Sequence, residues 1–374
     1  MIKKVLFFIC FLSITILFSQ NPVLSTQSKV SVFTCGKGAE LYSTFGHTAI
    51  RIKDSINHLD VVYNYGAFDF RTENFYLKFV KGDLQYFMIA TSYEEFIYEY
   101  QYDNREVIEQ TLDFTLDKKQ QLFERLNASL LSEEKSYTYK FIDKNCTTMV
   151  VDKIDETIGK PIIQKVDDKS ISYRTVLYPY FEDHFWYKFG INIIFGERTD
   201  RKAEQLFLPI ELLNSLDQLK IDGKLLVVEK TTVVKGKDFK APFSFFNSIY
   251  CVVLFVLLIV ISNKKRVFLT YLFILGLLGL FLSLVGFYSL HREVLWNYNV
   301  LLFNPIYLAL PFLNRNWKKW AIAICGLLLL VYGIVMISKP HLILMLPFMV
   351  SIVYILWQLI VKYNLLSSKK HYRT

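Results

Sequence analysis

The sequence predicts an α+β exported domain followed by an all-α membrane domain of five helices. Three observations point there. Of its 374 residues 53% are hydrophobic, and the mean hydropathy is +0.28, too apolar for a disordered chain and high for a wholly soluble one. The apolar excess begins near Phe243 and runs to the end, whereas the preceding half has ordinary globular patterning. The chain also opens Met1-Ile2-Lys3-Lys4 and continues almost without a polar residue over positions 5–18, the plan of a secretory signal or an uncleaved anchor.

These features set the expected boundaries: a signal or anchor at 1–21, an exported catalytic domain at 22–240, a membrane domain at 243–362 and a cytoplasmic tail at 363–374. Five stretches approach the ~20 apolar residues needed to cross a hydrocarbon core: 243–262, 267–290, 294–313, 317–337 and 341–361. Basic clusters follow the first, third and fifth, namely Asn263-Lys264-Lys265-Arg266, Asn314-Arg315-Asn316-Trp317-Lys318-Lys319 and the Lys- and Arg-bearing end after residue 362. The positive-inside rule assigns these to the cytoplasm and the first half of the chain to the other side. The +9 net charge is thereby a statement of orientation, and nucleic acid is not an expected partner.

The elements of the exported half follow in order. Short β-like runs at 30–33, 48–52 and 61–65 read as strands, the last two joined by a turn at 54–60. Aromatic and charged residues fall at helical spacing over 70–79 and 92–102. Leu122, Phe123, Leu126, Leu130 and Leu131 mark the clearest amphipathic helix, 116–132. A further helix starts at Cys146, with Asp143 or Asn145 as its N-cap. Five cysteines divide in the same way: Cys10 in the signal, Cys251 and Cys325 in expected spans, and Cys35 and Cys146 exported. That last pair could form one disulfide in an oxidising compartment. HExxH, CxxC and Gly-rich phosphate loops are absent, so neither a metal nor a cofactor is expected.

Cys146 carries the chemical interest. A thiol in the first turn of a helix faces the positive end of the dipole and unpaired N–H groups, which favour thiolate. Its base would be a histidine, and the exported half offers His47, His58 and His184. His47 opens a strand, His58 falls in a turn, and His184 lies in an aromatic segment, so His47 with Cys146 is the sharp pairing. Spacing alone favours a hydrogen-bonded core histidine and a buried thiol.

Longer motifs shift that balance. Thr34-Cys35-Gly36, Glu40-Leu41-Tyr42-Ser43-Thr44-Phe45-Gly46-His47-Thr48-Ala49-Ile50-Arg51, Tyr63-Asn64-Tyr65-Gly66-Ala67-Phe68-Asp69-Phe70, Asn74 to Phe79, Asp143-Lys144-Asn145-Cys146-Thr147-Thr148 and Phe207-Leu208-Pro209 occur in this order. So do His291, Asn297-Tyr298-Asn299-Val300-Leu301-Leu302 and Asn304-Pro305 in the membrane half. Together they resemble the Lnb-type lipoprotein N-acyltransferases of Bacteroidota. The resemblance implies a circularly permuted papain-like fold, similar to lecithin–retinol acyltransferase, with histidine preceding cysteine. It implies Cys146 as nucleophile, His47 as base and a third polar residue on the next strand, for which Asn64 is the nearest match and Tyr63 its neighbour; a second histidine is lacking there.

The implied activity is acyl transfer at the outer face of the bacterial inner membrane, with the catalytic domain in the periplasm. A membrane phospholipid is the expected acyl donor and a diacylated lipoprotein the acceptor, through a Cys146 thioester. Glu40, Arg51, Asn145 and His291 are the expected substrate-binding residues, and both exported thiols should be free. Two other classes compete: a membrane-anchored periplasmic cysteine peptidase or amidase, which needs only one anchor, and a non-enzymatic membrane sensor, which needs no thiol.

Overall fold

The computed structural model describes residues 22–237 and 242–361; the expected signal with Cys10 and the expected tail lie outside the described residues. Packing divides the chain into two units. One comprises described residues 22–72, 85–167 and 205–237, and the other 73–84, 168–204 and 242–361. Two segments of the first half, 73–84 and 168–204, thus pack with the helical part of the chain.

The first unit is built on a sheet of seven antiparallel strands. These are β1 (Lys29–Cys35), β2 (His47–Asp54), β3 (Leu59–Ala67), β4 (Gln85–Ser92), β5 (Val107–Leu112), β6 (Ser136–Thr138) and β9 (Val227–Val234), in the order β6-β4-β3-β2-β1-β5-β9. A two-stranded hairpin, β7 (Lys220–Ile221) with β8 (Lys224–Leu225), stands apart from it. The hairpin expected between 48–52 and 61–65 forms as β2 and β3, with Asp54 accepting from the Ile56 and Asn57 backbone in the turn.

Residues of one strand parity, Phe33, Cys35, Ala49 and Val62, pack under α1 (Tyr93–Tyr102) through Phe96, Ile97 and Tyr100. Ser92 starts that helix with a capping box to Glu95. The expected amphipathic helix forms as α2 (Leu116–Leu131), and Cys146 opens α3 (Cys146–Ile158). The helix α3 packs on β2, β3 and α2, and α4 (Pro209–Gln218) packs on β1 and α3. Helical spacing over 70–79 gives only Phe75–Lys81, a helix of the second unit.

The second unit is helical. Three of its helices, Lys265–Tyr288, Arg315–Met336 and Leu342–Val361, are long and apolar enough to cross a membrane. The first expected span yields a shorter apolar helix, Ile249–Ser262. The third is interrupted: a 3-10 turn at Arg292–Val294, a short helix at Asn299–Leu302 and another 3-10 turn at Pro305–Leu308. Its chemistry explains the break. Pro305 cannot continue a helix from Phe303, and the asparagine side chains bond other segments. Asn297 donates to the Ile193 and Ile194 carbonyls and Asn299 to those of Asn192 and Ile193, while Tyr332 donates to Asn299 at 2.8 Å. The irregular backbone is enclosed, with Leu302, Phe303, Asn304, Tyr307 and Leu310 all buried, the condition under which such backbone is tolerated among apolar helices. Gly279 permits the approach, because a Cβ there would overlap the Phe303 carbonyl.

Candidate active site

Register brings three site residues together. Cys35 on β1 pairs with His47 on β2, and Ala49, two residues on, pairs with Asn64 on β3. Strand alternation then places Cys35, His47 and Asn64 on one face. The Asn64 Oδ1 lies 2.5 Å from His47 Nε2, leaving Nδ1 as the ring nitrogen for another partner. Tyr63, of opposite parity, donates to Asn127 at 2.8 Å, so Asn64 is the polar residue that orients the imidazole.

The nucleophile helix approaches from the opposite face. Thr48, on that face, has its hydroxyl 3.2 Å from that of Thr147. Asn145 fixes the helix start: its Oδ1 accepts from the Thr147 and Thr148 N–H groups, and its Nδ2 donates to the Phe141 and Phe207 carbonyls. Both polar atoms of that side chain are engaged within the protein, so Asn145 holds the start of the Cys146 helix.

Thiol and imidazole meet at the rim of the sheet beside Gly66. Its φ of +126° is open to glycine and costly for other residues. A Cβ at Gly66 would stand 3.2 Å from His47 Cε1 and 3.8 Å from Cys146 Cβ. The bulge between Tyr65 and Ala67 re-aims the end of β3 at this point. Gly46, at φ +81°, similarly lets the chain turn into β2, where a Cβ would press on the Cys35 carbonyl oxygen.

The electrostatics favour an ion pair. Burial opposes the Cys146 thiolate, but the adjacent His47 charge and hydrogen bond outweigh it, helped by the Thr48 backbone N–H, and hold the thiol below its ordinary range. Burial likewise opposes imidazolium; the Cys146 thiolate and the Asn64 hydrogen bond prevail and raise His47. Cys35 behaves differently. Burial pushes its thiol up to about 12, and both Cys35 and Cys146 are free, as expected.

An aromatic wall adjoins the sulfur. Tyr86 stacks on Tyr139 at 4.5 Å between centroids and meets Phe68 at 5.2 Å. Phe68 in turn contacts Phe70 and Tyr42 at 4.9 and 5.8 Å, and the last two rings are largely exposed. Phe141 lies between Phe45 and Phe207 in the same unit.

Residues 22–178 match the family model of the Lnb N-terminal periplasmic domain. Over these residues the chain is similar to the Lnb periplasmic domain. The resemblance read from the motifs is met over that part of the chain. No curated protein and no solved structure matches it. The Lnb domain together with the long apolar helices makes the chain a membrane protein with a periplasmic domain.

The other expected residues have partners of their own. Glu40 precedes a 3-10 turn at Leu41–Ser43, where its carbonyl accepts from the Ser43 and Thr44 hydroxyls. Arg51, four residues along β2 from His47, is buried and forks onto Asp60 and Glu109, with its guanidinium 3.5 Å from the Tyr93 ring centroid. It ties β2 to β3, β5 and α1. His291 belongs to the second unit, where Nε2 lies 3.0 Å from the Phe79 carbonyl oxygen. Arg174 is wholly buried on Asp200, Asn192 and Thr199. Gly66 and the Thr48 N–H contribute to the site without having stood out; the only sequence signal for Gly66 was its place in the Tyr63 to Phe70 motif.

Proposed function

We propose that this protein transfers a fatty acyl chain from a membrane phospholipid to the N-terminal amine of diacylated lipoproteins, with Cys146 and His47 as catalytic residues and Asn64 orienting the base. The observation that carries the reading is the juxtaposition of Cys146 and His47 beside Gly66, with Asn64 bonded to the imidazole and the thiol in the first turn of a helix. The chain order of base strand before nucleophile helix supports a permuted papain-like arrangement.

The Cys146 thiolate attacks an ester carbonyl of the phospholipid, and His47 passes its proton to the departing lysophospholipid oxygen, leaving an acyl thioester. The lipoprotein α-amine then attacks the thioester while neutral His47 takes a proton from it, and Cys146 leaves as thiolate. Asn145 already engages the Thr147 and Thr148 N–H groups, so the first-turn donor left for the tetrahedral oxyanion is the N–H of Cys146. The aromatic wall from Tyr86 to Tyr42 supplies an apolar bed for the acyl chain and limits water at the thioester. In this reading the apolar helices keep the enzyme in the bilayer that holds both lipid substrates, and the reaction runs at the periplasmic face of the inner membrane.

Mass spectrometry of a lipoprotein N-terminus tests this. Cells carrying Cys146→Ser or His47→Ala should accumulate the diacylated form with a free amine. Normal triacylated product from either variant, as the sole enzyme in the cell, would sink the mechanism.

A further inference from the structure

Two turns of the second unit build a basic pocket that the acyl-transfer chemistry does not use. One is the 3-10 turn Glu197–Asp200 with the following Arg201; the other runs from Arg292 through Trp296. Backbone hydrogen bonds tie them: Gly196 N–H to the Glu293 carbonyl at 2.7 Å and Glu197 N–H to that of Trp296 at 3.3 Å. Gly196 has no room for a Cβ against the Leu295 carbonyl. Beneath the turns, Arg198 bonds the buried Glu293 carboxylate at 3.0 Å. The open depression between the turns holds about 290 Å³ and is lined by Glu197, Arg198, Arg201, Arg292, Leu295 and Trp296.

Two independent features indicate a ligand. The first is charge: Arg201 pairs only with exposed Glu197, and exposed Arg292 has no ion-pair partner among the described residues. The second is Trp296, a bulky residue held at φ +53° with 84% of its surface exposed. Such backbone costs ~1–3 kcal/mol and persists where the surroundings impose it, commonly at ligand sites. Here it turns an indole outward, close in sequence to the end of the long apolar helix Lys265–Tyr288. Arginine forks match phosphate oxygens, and tryptophan prefers the headgroup level of a bilayer.

We infer that this pocket binds the phosphate of a glycerophospholipid headgroup, with Arg201 and Arg292 on the phosphate and Trp296 against the glycerol and upper acyl region. The inference rests on the proposed function only in naming a membrane lipid, and it is read without turnover.

The experiment measures phospholipid retained by the purified full-length protein after detergent exchange. The double variant Arg201→Ala/Arg292→Ala should retain about tenfold less than wild type, and Trp296→Ala should also fall. Arg292→Lys should keep part of the binding, because it keeps the charge and loses the fork. Both arginines are exposed, so the variants should melt as wild type does. Retention unchanged in the double variant overturns the pocket. A second arm adds inorganic phosphate: if phosphate binds wild type and not the double variant while lipid retention is the same in both, the lipid source is overturned. Cys146→Ser separates the two proposals, since it should lose acyl transfer and retain lipid fully.

Discussion

Asn145 donates its side-chain amide to the carbonyl of Phe207, 2.9 Å away and 62 residues later in the chain. Through this bond the first turn of the Cys146 helix is fastened to the segment that enters α4, and the same side chain caps that turn. The position of the sulfur therefore depends on a residue that never needs to touch substrate.

Replacing Asn145 by Ala should cost ~1 kcal/mol for the lost cap and ~1–3 kcal/mol more for the two lost bonds to the Phe141 and Phe207 carbonyls. Asn145→Asp keeps the cap and loses both donations. Thermal melts should rank wild type above Asp above Ala. Equal melting of all three would deny Asn145 its holding role.

Thiolate formation should follow the His47 environment. Reactivity of Cys146 toward a soluble alkylating agent should rise with pH through an inflection below the ordinary ~8.5 of a free thiol, because its pKa is lowered. Asn64 helps raise His47; Asn64→Ala should lower the imidazole pKa, weaken the ion pair and move the thiol inflection upward by on the order of one pH unit. Alkylation rate against pH for the two proteins checks this, and superimposed curves would count against it.

Gly66→Ala should damage chemistry more than fold. The new methyl group meets His47 at 3.2 Å in a backbone conformation of φ +126°. A strain of ~1–3 kcal/mol, relieved by pushing the imidazole off the thiol, predicts at least a tenfold slower alkylation at neutral pH. Wild-type alkylation in a folded Gly66→Ala protein would contradict the placement.

Arg51→Met should do the reverse. Removing the guanidinium leaves the Glu109 carboxylate largely buried and Asp60 partly so. Truncating a buried ion pair costs 3–5 kcal/mol, and partial exposure of Asp60 reduces this to ~2–3 kcal/mol. The melting temperature should drop while lipoprotein acylation per folded molecule stays unchanged. A specific loss of acylation at full stability would instead support Arg51 as a substrate-binding residue.

Much of the periplasmic half was readable because its signals are local. The apolar stripe of 116–131, the helical spacing over 92–102 and the Asn145 cap before Cys146 each declare an element within a few residues. Strand β4, Gln85–Ser92, and the polar β9, Val227–Val234, carry little alternation of their own and are strands because of their neighbours. The broken third span looked continuous by hydropathy; Asn297 and Asn299 decide otherwise through partners more than thirty residues away, and Asn304-Pro305 through a local turn. At the site, residue types were visible in the motifs. That His47 and the Cys146 helix belong to opposite faces, and meet only where Gly66 leaves room, required the register.

The contrast between the exported thiols also gives an assay. Cys35 is buried and stays protonated, whereas Cys146 is the activated sulfur. Cys251 and Cys325 sit in apolar helices that a charged, water-soluble reagent does not enter. Among the described residues, one mole of such a reagent per mole of chain therefore counts competent molecules directly. A preparation can be standardised by labelling stoichiometry before any lipid is added.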